Sequence, residues 1–366
     1  MKSASETATR YVRTWWTPLV LSAVLVVTWL GISAYGSITL EEDGMRLLLW
    51  MMLVVGLQIF SGNSGVMSFG HIAFMAAGAY FAALLTMTPT IKETAFDDMP
   101  RFLASWIHPA ELGLFEAALA AGLLAAVLAA IFGVAVARLA GVAAAIATLA
   151  VLVIMNTFII QTPAVTGGSD VLVGVSRATT MGIAVLALVV MIFGAYAFKQ
   201  SRNGLRLRAS RENVDAAQSV AVHVRRERYI AFVLSGFVFG VGGALYAHYF
   251  TGFAPPDFYF SLTFIVVAML VVGGMNSVTG AVVGTYFLTV IYLLARRGET
   301  DGVFGVETPS GTANLLMAIA LLLALILRPA GITGGKEIPW PAAWLRRRAA
   351  KNGAKQAPEP PAETGT

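Results

Sequence analysis

Apolar runs of about twenty residues recur along the whole of this chain, and a run of that length spans a bilayer as a helix. The windows fall at 17–37, 45–61, 66–87, 113–136, 141–161, 179–198, 229–250, 260–275, 278–295 and 312–328. The runs are continuous rather than alternating, which excludes a membrane β-barrel. The expected fold is therefore all-α: a polytopic membrane protein of about ten transmembrane helices. Composition agrees, with 57% hydrophobic and only 12% charged residues, where a water-soluble domain carries about 25% charged. The run from Thr17 to Gly36 is too long for a signal-peptide core and reads as an uncleaved first span.

Charge sets the expected orientation. Residues 199–228 form the one long polar island, with eight Lys/Arg against three Asp/Glu. Excess positive charge marks a cytoplasmic loop. Lys2, Arg10 and Arg13 precede the first span, and Arg328, Arg346, Arg347 and Arg348 follow the last. An even number of spans puts all three basic clusters on one side, so both termini are expected to be cytoplasmic. The acidic turn 41–43 and the loops 88–112 and 296–311 then lie outside. The expected organisation is a cytoplasmic segment 1–16, a transmembrane domain 17–335 and a largely disordered cytoplasmic tail 336–366. Within the island, 211–220 reads as a short helix able to take push and pull from a soluble partner; the plainer reading is a loop that only sets topology.

Small residues recur at helical spacing. Gly236 and Gly240, extended by Gly243, and Gly280 and Gly284 form GxxxG patterns. In lipid these let backbones approach, so the helices are expected to pack as one bundle. Three interruptions remain: 61–71, 166–174 and 253–257. The first reads as a broken element beside a pathway or as a tight turn, with His71 more a structural hydrogen-bonding residue than a proton carrier. The second reads as a Gly-rich turn in which Asp170 caps local N–H groups, or as a loop presented to a substrate or docking partner. Paired prolines explain the third.

Several chemistries are missing. There is no GxxxxGK(S/T) phosphate loop and no nucleophile elbow. His71, His108, His223 and His248 are scattered, with no metal-ligand spacing; there is no cysteine. No basic-aromatic stripe suggests nucleic acid. The spans hold almost no charge, and an ion-coupled carrier ordinarily needs one. An energy source outside the chain is the remaining option, with the basic island as its inlet.

Three ordered blocks resemble the permease subunit of branched-chain amino-acid ABC importers, the LivM-like family. The first is Gly65-Val-Met-Ser-Phe-Gly-His-Ile-Ala-Phe-Met-Ala-Ala-Gly-Ala-Tyr80. The second is Ala147-Thr-Leu-Ala150 with Thr166-Gly-Gly-Ser-Asp170. The third runs from Ser201-Arg-Asn-Gly204 through Arg211-Glu-Asn213, Ala216-Ala217, Ala231-Phe-Val-Leu-Ser235 and Gly243-Ala-Leu-Tyr246 to Val272-Gly-Gly274. The ending Arg328-Pro-Ala-Gly-Ile-Thr-Gly334 is similar too. The match covers roughly 45–335. What the resemblance implies is a transport subunit without its own ATPase site, binding no cofactor, its ATP used by two partner ATPases. A sister permease and a periplasmic substrate-binding protein complete the assembly, in the bacterial inner membrane. By position, Arg211, Glu212, Asn213, Asp215, Ala216 and Ala217 belong to the coupling helix. Asn63, Ser68 and His71 lie near the pathway, and Gly167, Gly168, Ser169 and Asp170 in the outer loop. Many relatives carry an acidic residue where this chain has Val153, which leaves the substrate class open between hydrophobic amino acids and urea, amides or other small solutes. An ion-coupled carrier and a non-transporting scaffold are the alternatives from other classes.

Overall fold

The computed structural model describes residues 14–300, 309, 311–328 and 330–340. The helices are α1 (Trp16–Tyr35), α2 (Ile38–Leu57), α3 (His71–Thr86), α4 (Pro89–Ala95), α5 (Arg101–Ile107), α6 (Leu114–Val136), α7 (Gly141–Gln161), α8 (Pro163–Thr166), α9 (Met181–Gln200), α10 (Arg202–Glu212), α11 (Val214–Ser219), α12 (Val224–Phe250), α13 (Phe260–Gly273), α14 (Val278–Thr300) and α15 (Thr312–Leu327). A π-helical turn, Gln58–Gly62, continues α2, and a 3-10 turn, Pro255–Phe258, precedes α13.

Every predicted apolar run is a helix. Among the described residues eight are long and apolar enough to cross a membrane, and a ninth if α3 and α4, bent by 120°, count as one broken span. The predicted third span begins late, at His71, because residues 65–70 are non-helical. Its 16 residues, like the 16 of α15, reach only about 24 Å against a hydrocarbon core of about 30 Å.

Four further expectations change. The acidic residues 41–43 are not a turn: they extend α2 beyond its apolar run, with Glu41 in the first helical turn, where carboxylates suit the N-terminal dipole. Asp43 is paired there with Arg297 of α14 at 2.9 Å. The seventh span starts at Val224, so Arg225, Arg226, Glu227 and Arg228 are helical. The predicted helix over 211–220 is broken at Asn213, an extended residue between α10 and α11. The packed chain also runs past 335: Thr17 Oγ1 donates to the Ile338 carbonyl at 3.3 Å, and Trp16 meets Trp340 edge to face. The expected termini, 1–13 and 341–366, lie outside the described residues.

α2 is buried from Gly44 onward apart from Arg46, whereas α1, α6 and α7 are buried on one side only. Their outward residues are large and apolar, with Val27 69% and Ile146 62% exposed, a surface suited to lipid. α12 is the axis of the packing, lying against α6, α3 and α2. The GxxxG patterns explain how. A Cβ on Gly240 would stand 2.6 Å from the Ala121 carbonyl oxygen and 2.4 Å from the Ala125 Cβ. A Cβ on Gly284 of α14 would stand 2.1 Å from the Met269 carbonyl oxygen of α13. Backbone meets backbone at both crossings, so a side chain there must force helices apart. We expect Gly240→Leu to cost about 3 kcal/mol or more and to yield an aggregated or heat-labile chain. Thermal size-exclusion chromatography in detergent checks this; unchanged stability would refute the crossing.

Two loops meet at the end away from the polar island. Leu172–Val173 (β1) pairs antiparallel with Gly252–Phe253 (β2). The polar island lies at the start of α12 and this ribbon at its end. Its 27 residues separate the two by about 40 Å.

Candidate functional site at the basic end

The polar island folds against the bundle. Ser201 caps α10 through the Gly204 N–H at 3.2 Å. Asn213 Oδ1 accepts from the Ala216 N–H at 2.9 Å and caps α11; this side-chain competition for backbone donors breaks the helix there. The six residues expected to act together divide. Glu212 is exposed at the end of α10, Asp215 and Ala216 are exposed on α11, and Ala217 is buried against the body. Val214 and Val220 flank α11, Val220 being 72% exposed. An exposed short helix with apolar shoulders thus projects from the basic end.

Arg211 turns the other way. Its guanidinium donates to the Gly62 carbonyl at 3.1 Å and to the Asn276 side chain. Gly62 ends the π-turn of α2, and Asn276 lies in the turn between α13 and α14. These turns touch: a Cβ on Gly62 would stand 2.2 Å from the Met275 carbonyl oxygen. Lys199, its side chain 5% exposed, reaches the same turn, donating to the Asn276 carbonyl at 2.7 Å and pairing with Glu337. The Glu337 carboxylate in turn accepts from the Val278 N–H at 2.9 Å, the Thr279 N–H at 3.0 Å and the Thr279 hydroxyl at 2.6 Å. It thereby caps the start of α14.

The segment 61–71 is packed inside the protein. Asn63 Nδ2 donates to the carbonyls of Gln58 at 3.2 Å and Ile59 at 2.9 Å, bracing the π-turn. Ser68 Oγ lies 2.7 Å from His71 Nδ1, and the imidazole is ringed by Phe60, Phe74, Phe232 and Phe239. Asn63, Ser68 and His71 are each at most 2% exposed. The hydrogen-bonding reading of His71 fits this geometry. The side chains of Gln58 and Ser61, Asn63 Oδ1 and His71 Nε2 have no partner among the described residues, so buried water is the natural complement. Thr148 of α7 pins the segment: its hydroxyl accepts from the Phe69 N–H at 3.1 Å. That contact was missed in the sequence, although Thr148 belongs to the second block.

At the opposite end, Gly167 (φ +77°) and Gly168 (φ +68°) are both left-handed, which explains the glycine pair. Thr166, not Asp170, supplies the local cap: its hydroxyl accepts from the Gly168 N–H at 3.3 Å and donates to the Ile159 carbonyl at 2.6 Å. Ser169 and Asp170 are exposed. The two sets of expected pathway residues are therefore not brought together. Val153 sits 39% exposed on α7. Among the described residues no group of His, Asp and Glu is arranged to hold a metal.

A multi-pass bundle of long apolar helices with apolar outer faces defines an integral membrane protein. The chain belongs to the branched-chain amino acid transport system / permease component family, whose profile matches residues 45–328, and it is an ABC-type permease. It is similar to the high-affinity branched-chain amino acid transport system permease protein LivM of Escherichia coli (strain K12), 24% identical over 348 residues, covering 86% of this chain and 74% of that one. The nucleoside ABC transporter permease protein NupC of Lactococcus lactis subsp. cremoris (strain MG1363) is 30% identical over 142 residues, 39% of this chain and 44% of its own length. The autoinducer 2 import system permease protein LsrC of Enterobacter sp. (strain 638) is 32% identical over 117 residues, 30% of this chain and 33% of its own. No solved structure matches the chain.

Proposed function

We propose that this chain is one membrane-spanning subunit of an ATP-driven importer for branched-chain or other hydrophobic amino acids. It would reside in a bacterial cytoplasmic membrane with the basic end and both termini inside. A sister permease would complete the pathway, and a periplasmic binding protein would deliver the solute. Two cytoplasmic ATPases would use the ATP, the chain itself binding no cofactor. The observation that carries the reading is α11. It is exposed, flanked by apolar side chains, and linked through Arg211 to the turns ending α2 and α13. A soluble partner that moves α11 therefore moves two bundle helices.

In this reading Glu212, Asp215 and Ala216 face the ATPase, Asn213 and Ala217 shape α11, and Arg211 transmits. Asn63, Ser68 and His71 stiffen the pathway from within, and Gly167, Gly168, Ser169 and Asp170 form the face toward the binding protein. The nucleoside and autoinducer relatives favour a second reading, import of another small solute, with the architecture unchanged.

Proteoliposomes holding the chain, a sister permease, both ATPases and the binding protein are expected to accumulate leucine only with ATP on the basic side. A proton or sodium gradient is expected to give none. Accumulation by the lone chain under an ion gradient would overturn the ABC reading in favour of a secondary carrier. Accumulation of a nucleoside but not of leucine would select the second reading.

A further inference from the structure

At the end opposite the polar island, a cavity of about 310 Å³ opens between the ends of α2, α12, α13 and α14, a volume at the small end of ligand pockets. Two opposite charges line it, Arg46 of α2 and Asp257 of the 3-10 turn, and they do not pair with each other. Arg46 lies over the rings of Trp50 and Phe250, at 5.8 and 5.7 Å. Asp257 spends one oxygen on the Ala254 N–H at 2.9 Å; its other oxygen has no hydrogen-bond partner among the described residues. Apart from Ser261 the remaining wall is apolar or aromatic, including Leu49, Leu262, Ile265 and Tyr292. The Tyr246 phenol lies within electrostatic reach of both charges.

We propose that this cavity is a binding subsite for a free α-amino acid with an apolar side chain, Arg46 taking its carboxylate and Asp257 its ammonium group. A guanidinium fork matches a carboxylate with two parallel hydrogen bonds. Two unlike charges left unpaired in one small cavity are complementary to a zwitterion and to neither ion alone. The leucine, isoleucine and ring side chains between them suit an aliphatic side chain. This deepens the proposed function and rests on it only for the direction from which solute arrives.

The chain has no cysteine, so Ser261→Cys, which lines the cavity, gives a single reporter. The full chain in nanodiscs is alkylated at position 261 with and without solute. At leucine about ten times above its dissociation constant, the rate is expected to fall about tenfold. 4-Methylpentanoate, 3-methylbutylamine and glycine are expected to protect at least about tenfold more weakly at equal concentration. Asp257→Asn keeps an acceptor for the Ala254 N–H but loses the charge; it and Arg46→Gln are each expected to abolish protection by leucine. No protection by leucine up to about 10 mM, a range that reaches millimolar affinity, would overturn the proposal. So would equal protection by an analogue of one charge, or protection by phosphoethanolamine in place of leucine, which would mark a lipid-headgroup site. The assay needs neither nucleotide nor a second protein, so its failure leaves ATP-driven uptake standing, and failed uptake leaves the cavity standing.

Discussion

Replacing Arg211 with alanine is expected to cut ATP-driven uptake about thirtyfold while the chain still inserts and the ATPases still bind. Arg211 is the side chain through which α10 and α11 hold the Gly62 turn and the Asn276 turn at once. Hydrogen bonds from a charged donor are worth about 1.5–3 kcal/mol each, and loss of about 2 kcal/mol of coupling between two sites is a factor of about thirty. The surface offered to a soluble partner, Glu212, Asp215 and Ala216, is untouched by the change. Arg211→Lys tests the geometry further. An ammonium keeps the charge but lacks the planar fork that reaches two acceptors on different turns, so it is expected to recover uptake only in small part. The measurement is solute-stimulated ATP hydrolysis beside uptake in the same proteoliposomes. Basal hydrolysis is expected to persist while stimulation and uptake fall together. Full uptake in Arg211→Ala would remove Arg211 from the coupling route, and loss of ATPase binding would make it a docking residue instead.

Glu337→Ala is expected to be the most destabilising single change at the basic end, by about 3–5 kcal/mol, because it strands a buried lysine. The Lys199 ammonium is nearly enclosed and has Glu337 and one carbonyl as partners. The same carboxylate serves two N–H groups and a hydroxyl at the start of α14. Removing it leaves a buried cation and an uncapped helix together. Glu337→Gln retains an acceptor for the cap and is expected to lose less. In the double variant Lys199→Met, Glu337→Gln no cation is stranded, and stability is expected to return toward that of the parent. Thermal unfolding followed by tryptophan fluorescence in detergent orders the four chains. Equal melting of Glu337→Ala and the parent would show that residues 336–340 are not fastened to the bundle.

Residue pattern alone determined the all-helical class, the ten apolar segments and the close crossings at Gly240 and Gly284. The reason is local: in hydrocarbon a backbone must satisfy its own hydrogen bonds, so a long apolar run has one structure open to it, and glycine at helical spacing announces a close approach. The family was legible as well, because its blocks are contiguous in the chain. What the chain order does not show is which blocks meet. Residues 61–71, Thr148, Arg211 and Asn276 are far apart in sequence, and only the folded bundle brings them to one end. The break at Asn213 was hidden because a capping asparagine and a helical one look alike until the N–H it accepts from is placed. Residues 336–340 read as part of a largely disordered tail for the same reason: the fate of Glu337 depends on Lys199, 138 residues earlier in the chain. Arg46 and Asp257 likewise carry no signal alone, one a cation near an acidic run, the other a turn residue after two prolines. Long-range electrostatic partners and shared cavities are properties of the tertiary fold, since periodicity and propensity report only what lies within a turn or two of each residue.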